Sequence, residues 1–152
     1  MTTHPVKASA QTMNLSARMA AVQAVYQALL TDQNLGAILD EYRIYGHNRD
    51  TDEPPLPPAD TALLGRILLG VQERLVDLQT IINENLSNKN KSLESLLQAI
   101  LLCAAYEIVA HCEVDAPIII NDYLNVTHSF YDAGEVGLVN GILDSITRVI
   151  RV

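Results

Sequence analysis

His111, Cys112 and Glu113 stand side by side and bring imidazole, thiol and carboxylate groups into one short run. These are donors a metal ion favours, but successive helix positions point about 100° apart and rarely converge on one ion. Further ligands would have to come from elsewhere, with His128 the candidate, so no metal site is expected. Glu107 lies in a stretch that reads as a buried helix, a setting that can tune a carboxyl group for proton transfer. A carboxylate there more often caps or hydrogen-bonds a neighbouring helix end, and that structural role is the one expected. Tyr26, Tyr42, Tyr45, Tyr106, Tyr123 and Tyr131 offer ring faces for base stacking. At helical spacing they read first as core residues with wet hydroxyls.

Motifs that would carry other chemistry are absent. The sequence contains no GxGxxG or GxxxxGKS/T loop for phosphates, and no GxSxG or HExxH. Neither an enzyme nor a cofactor is expected.

The elements that must hold these residues read as helices. Of the 152 residues, 49% are hydrophobic and 18% charged, which excludes a disordered chain and fits one domain. With no Trp, one Phe and few Gly or Pro, the core must be aliphatic and turns sparse. Leu15, Met19, Val22, Tyr26 and Leu29 form a stripe at steps of three and four, predicting a helix over 14–30 capped by Asn14 or Ser16. Residues 1–13 are expected to be a flexible arm and 14–152 a single helical domain. Leu35, Ile38, Leu39, Tyr42 and Tyr45 give a second face, before the polar, proline-bearing run 46–58 breaks the pattern.

Asp60 suits the N-cap of one long helix to about Leu86, with Leu64, Ile67, Leu68, Val71, Leu75, Leu78 and Ile82 on its stripe. Ser92 opens a helix so apolar that it must be central. Pro117 fits the first turn of the next, which takes in Ile118, Ile119 and Ile120. The last helix is placed at 135–150. Asn140-Gly141 inside it is a strong hairpin signal. The surrounding stripe of Val139, Ile142, Leu143 and Ile146 favours a helix, with Gly141 packed closely against a neighbour. The prediction is an all-α bundle of about six to seven helices.

Charge narrows the partners. The net charge of -8 suits no generic nucleic-acid binder. The first acidic residue is Asp32, however, so Lys7 and Arg18 give residues 1–31 a small positive excess; between Lys91 and Arg148 there is no Lys or Arg at all. Any surface meeting phosphate should involve the N-terminal end. Cys103 and Cys112, nine apart on what reads as one helix, point to opposite sides and cannot pair, which suits a reducing compartment. The first 14 residues lack the apolar run of a signal peptide, and no run is long enough for a membrane span, so a cytoplasmic location is expected.

Two stretches together resemble a known family. AVQAVYQALL (21–30) is similar to the first-helix motif of the bacterial transcription antitermination factor NusB family, and residues 102–146 resemble that family's last three helices. Ala104, Tyr106, Glu107, Asp115, Pro117, Ile120, Asn121, Asp122, Phe130, Val139, Asn140, Gly141, Leu143 and Asp144 fall on its pattern, and Asn140 to Asp144 is the most specific piece. The resemblance implies an all-α fold of two helical subdomains, with Glu107, Asn121, Asn140, Gly141 and Asp144 as structural motif residues.

The resemblance also implies a function: pairing with ribosomal protein NusE, binding of boxA RNA by the heterodimer, and passage of the transcription elongation complex through terminators. The implied RNA contacts are Arg18, in the family's arginine run, Tyr26, at its first-helix tyrosine, and His128, where a lysine is common; Lys7 adds a cation on the arm. The chain departs from the pattern at Asn14, Leu15 and Ser16, where arginines are usual, at Leu138, where an aromatic is usual, and at Leu102 and Leu97, where an arginine and a glutamate are frequent. Fewer phosphate contacts imply weak RNA binding by the isolated chain. The alternative is a helical interaction module that keeps the fold and has lost most RNA recognition.

Overall fold

A computed structural model describes residues 9–45, 60–87 and 92–151. It contains seven helices in the order α1 (Ala10–Thr31), α2 (Leu35–Tyr45), α3 (Thr61–Glu73), α4 (Leu75–Glu84), α5 (Ser95–Ala110), α6 (Ala116–His128) and α7 (Ala133–Ile150), with no strand among the described residues. Among those residues, no helix is long and apolar enough to cross a membrane.

Helix α5 organises the rest. Ten of its residues are buried, from Leu97 to Ile108, and it packs against α1, α3, α4, α6 and α7. The groups α1–α3 and α4–α7 therefore share one continuous core, because α5 touches members of both. The face of α1 that sinks deepest shares only Val22 with the predicted stripe. It is Ala17, Arg18, Ala21, Val22 and Val25, while Leu15, Met19, Tyr26 and Leu29 pack around its edges. Small side chains let the α1 backbone approach α5, which itself buries Ala99, Ala104 and Ala105.

The boundaries follow local chemistry. α1 starts four residues before Asn14, because Ser9 accepts a hydrogen bond from the Thr12 amide and caps the helix there. The predicted arm is thus helical from Ala10; its earlier part, with Lys7, lies outside the described residues. α1 stops at Asp32, whose left-handed backbone (φ 56°) directs its N–H to the Ala28 carbonyl. Asp60 caps α3 as expected, accepting from the Leu63 amide at 3.0 Å. The single long helix predicted over 60–86 breaks at Arg74, where φ is -111° and ψ 20°. No glycine or proline marks that break. The apolar stripe continues across it, and α4 leaves α3 to pack on α5 and α7. α5 begins at Ser95 rather than Ser92, and the Ile118–Ile120 run is helical within α6.

Two further expectations are revised. Cys112 lies beyond the end of α5 and is exposed, whereas Cys103 is buried within it, so the two do not share a helix. Gly141 is helical, inside α7, but it is exposed, and a Cβ there would meet nothing within 4 Å among the described residues. The close approach falls on Gly70 of α3, where a Cβ would stand 2.0 Å from Cζ of Tyr106 on α5. Gly141→Ala is therefore expected to raise stability by about 1 kcal/mol through helix propensity. Gly70→Ala should lower it by about 1–3 kcal/mol, since the whole Tyr106 ring must move. Urea midpoints of the two variants shifting in the same direction would refute this assignment.

Candidate functional site

Of the residues singled out for chemistry, Glu107, His111, Tyr123 and Arg18 meet in one buried cluster. The cluster forms around Glu107, whose side chain is fully enclosed. Its Oε2 accepts from Arg18 Nε at 2.8 Å and from the Tyr123 hydroxyl at 2.6 Å. Its Oε1 accepts from Arg18 Nη2 at 2.9 Å and from His111 Nδ1 at 3.0 Å. An ionised carboxylate can only accept, so the His111 proton sits on Nδ1. Arg18 Nη1 donates onward to Asp122 Oδ2 at 2.8 Å. No buried side-chain nitrogen or oxygen lacks a partner among the described residues.

Sequence position explains the assembly. Arg18 is on the deep face of α1 and Glu107 on the last turn of α5. Asp122 and Tyr123 lie on α6, and His111 follows the end of α5. Arg151, just past α7, closes the same end of α5. Its guanidinium donates to the carbonyls of Ile108 (3.0 Å), Val114 (2.6 Å), His111 (2.9 Å) and, at 3.4 Å, Glu107. These are carbonyls that a helix end leaves without partners.

Burial by itself would raise the Glu107 pKa. The hydrogen bonds from His111 and Arg18, the Arg18 charge and the Tyr123 hydrogen bond outweigh it and hold the carboxyl at about 2. For Arg18, burial opposes the charge, and the hydrogen bond to Glu107 and its charge more than restore it, so its pKa is raised. Burial and the Glu107 charge push the Tyr123 hydroxyl well up, and the Cys103 thiol likewise. Within the cluster Glu107 is therefore held ionised while Arg18 and Tyr123 keep their protons, as a structural charge network requires.

Two expectations change with this geometry. Glu107 is structural, but it anchors three side chains rather than capping a helix end. Arg18 is neither a surface phosphate contact nor a solvated residue. It is 2% exposed, and its guanidinium is enclosed by Glu107 and Asp122.

The other predicted contacts stand elsewhere. Tyr26 is half-buried on α1, and His128 is exposed on the last turn of α6. Lys7 is outside the described residues. Of the motif residues, Asn121 and Asn140 are exposed, Gly141 is as described above, and Asp144 pairs with Arg148 one turn on at 2.5 Å.

The sequence reading gave no role to the groove between the starts of α5 and α7. It has a volume of about 610 Å³, and Leu93, Leu97, Tyr131 and Leu138 line it together with Glu94 and Glu135. The Tyr131 hydroxyl donates to Glu94 Oε1 at 2.7 Å. Burial, Glu94 and smaller contributions from Tyr26 and Glu135 all raise the Tyr131 pKa. A pairing across 37 residues leaves no local signal that a sequence pattern reveals.

The cluster generates two predictions. Glu107→Gln should cost about 3–5 kcal/mol by leaving the Arg18 charge under-compensated, and Tyr123→Phe about 1.5–3 kcal/mol, both read from urea unfolding. The folded pKa of Glu107 lies below its ordinary 4.5. Its contribution is therefore complete above that value and fades as pH falls towards 2. Between pH 6 and pH 2.5 the wild-type urea midpoint should drop more steeply than that of Glu107→Gln; parallel slopes would contradict the assignment.

Comparison with known proteins places this arrangement. A family model described as the NusB family matches residues 15–148. The transcription antitermination protein NusB of Nitrobacter hamburgensis is 30% identical over 138 residues, which cover 90% of this chain and 86% of that protein. Its counterpart in Mesorhizobium japonicum is 31% identical over 138 residues, with 90% and 89% covered. A solved structure of NusB from T. maritima matches with a TM-score of 0.69 at 22% identity, covering 88% of this chain and 89% of that one, a likeness of fold.

Proposed function

The chain belongs to the NusB family, and from that premise we propose that it acts in transcription antitermination as the acidic subunit of a heterodimer with ribosomal protein NusE that binds boxA-type RNA in the transcription elongation complex. The observation that carries the proposal is the state of its arginines. On α1 and on α5 to α7, Arg18 is enclosed, Arg148 pairs with Asp144, and Arg151 is committed to backbone carbonyls. Of these three only Arg148, in a surface pair one turn from Asp144, keeps its guanidinium exposed to solvent. The charge that neutralises RNA must then come chiefly from a basic partner, and an acidic chain is complementary to one. Lys7 on the segment before α1, His128 in its protonated form and the Tyr26 ring are the contacts this subunit contributes. The proposal places the chain in the cytoplasm with nascent RNA and gives it no catalytic step.

A second reading has a specific observation in its favour. The enclosure of Arg18 and the aliphatic Leu138 leave two of the resembled RNA contacts without charge or ring, as in an interaction module that has lost RNA recognition. Titration of boxA-type RNA at two salt concentrations, with the chain alone and with NusE, separates the two. The heterodimer reading expects weak binding alone and clear strengthening with NusE. Lys7→Ala should make the slope of log affinity against log salt shallower by about one. Arg18→Ala should act through stability instead. Association with NusE without any gain in RNA affinity leaves the interaction module and rules out the RNA role.

A further inference from the structure

We propose that the first half of α7, with the turn before it (residues 131–141), is a strap that opens from the start of α5 on its own, while the rest of the fold stays closed. Its glycines are the first sign. Gly134, Gly137 and Gly141 supply three of the nine residues 133–141, and all three are exposed. Neither backbone conformation nor space accounts for them. No glycine among the described residues has a positive φ, and a Cβ at each of the three would meet nothing within 4 Å. Alanine would favour the helix about fivefold at each position. This half of α7 is therefore weaker as a helix than its packing requires.

Burial does little to compensate. Val139 is the one fully buried side chain in 133–141, whereas Ile142, Leu143 and Ile146 anchor the second half. Asp132 at the N-cap makes no side-chain bond to the first-turn amides, unlike Ser9 on α1 and Asp60 on α3. The far end is held by the Tyr131 hydroxyl on Glu94 Oε1 at 2.7 Å, an exposed contact. Few buried side chains and a glycine-rich, uncapped start are the properties of a segment that opens locally. Beneath it lie Leu93 and Leu97, which share a groove with Gly134 and Leu138. Opening bares these leucines to water. The cluster at Glu107, on the last turn of α5, stays intact.

Native-state hydrogen exchange of the full chain, followed by NMR, tests the strap without RNA or NusE. Corrected for intrinsic rates, amides 137–141 should exchange about 100-fold faster than amides 100–105 of α5, with a shallower dependence on urea because little surface is exposed. Gly134→Ala combined with Gly137→Ala should slow exchange at 137–141 about twentyfold. Tyr131→Phe should speed it about two- to tenfold. Gly70→Ala, which loosens the fold as a whole, should speed exchange at 100–105 and leave 137–141 unchanged. The proposal is overturned if 137–141 match 100–105 in rate and urea slope, accelerate with them in Gly70→Ala, or ignore the alanine pair.

Discussion

Glu107 and Arg18 bring opposite charges into a core otherwise built from leucine, isoleucine, valine and alanine. Charge removed from water is costly, and a bare pair in such a place can be a net burden on stability. Here every acceptor direction of the carboxylate is used: two by the guanidinium, one by a phenol and one by an imidazole. The arrangement tolerates little displacement, because shifting α1 along α5 by one residue would strand both charges. Aliphatic packing alone permits small slides between helices; this cluster does not. It fixes the register of α1, α5 and α6 together, and Arg151 fixes the end of α5 on which they meet.

That constraint shapes the outer surface as well. An arginine committed to the interior cannot also serve phosphate, and Arg148 and Arg151 are engaged in their own ways. Apart from Asp144, which pairs with Arg148, the acidic residues around α5, α6 and α7 have no cationic neighbour on those helices among the described residues. The polarity of the surface thus follows from how the interior was assembled. For a member of the NusB family, whose relatives carry the name of antitermination proteins, this makes a basic partner the natural complement.

The extent to which the sequence revealed this differs by residue. Helical periodicity located the apolar face of α2, the start of α6 and nearly the whole span of α7, and overruled the hairpin signal at Asn140-Gly141, because a long stripe outweighs one unfavourable position. The same method assigned the glycine contact to Gly141 when it belongs to Gly70; close packing depends on which helix lies opposite, and periodicity carries no such information. The break at Arg74 had no glycine or proline to announce it. Arg18 was misjudged for a related reason. A lone arginine in a small-residue helix looks solvated until a glutamate 89 residues away is folded against it. The groove beside Tyr131 also joins distant segments, so neither its acidity nor its shape was visible locally.

The distance in sequence between Arg18 and Glu107 has a temporal meaning. During synthesis α1 leaves the ribosome well before the helix that buries it, with 89 residues still to be added. At ~5–20 residues per second, its apolar face waits on the order of ten seconds for α5. Its alanine-rich sequence suits this interval, since small side chains expose less sticky surface than a leucine stripe would. The charge on Arg18, a liability once buried alone, keeps the nascent helix wetted until its counter-ion arrives.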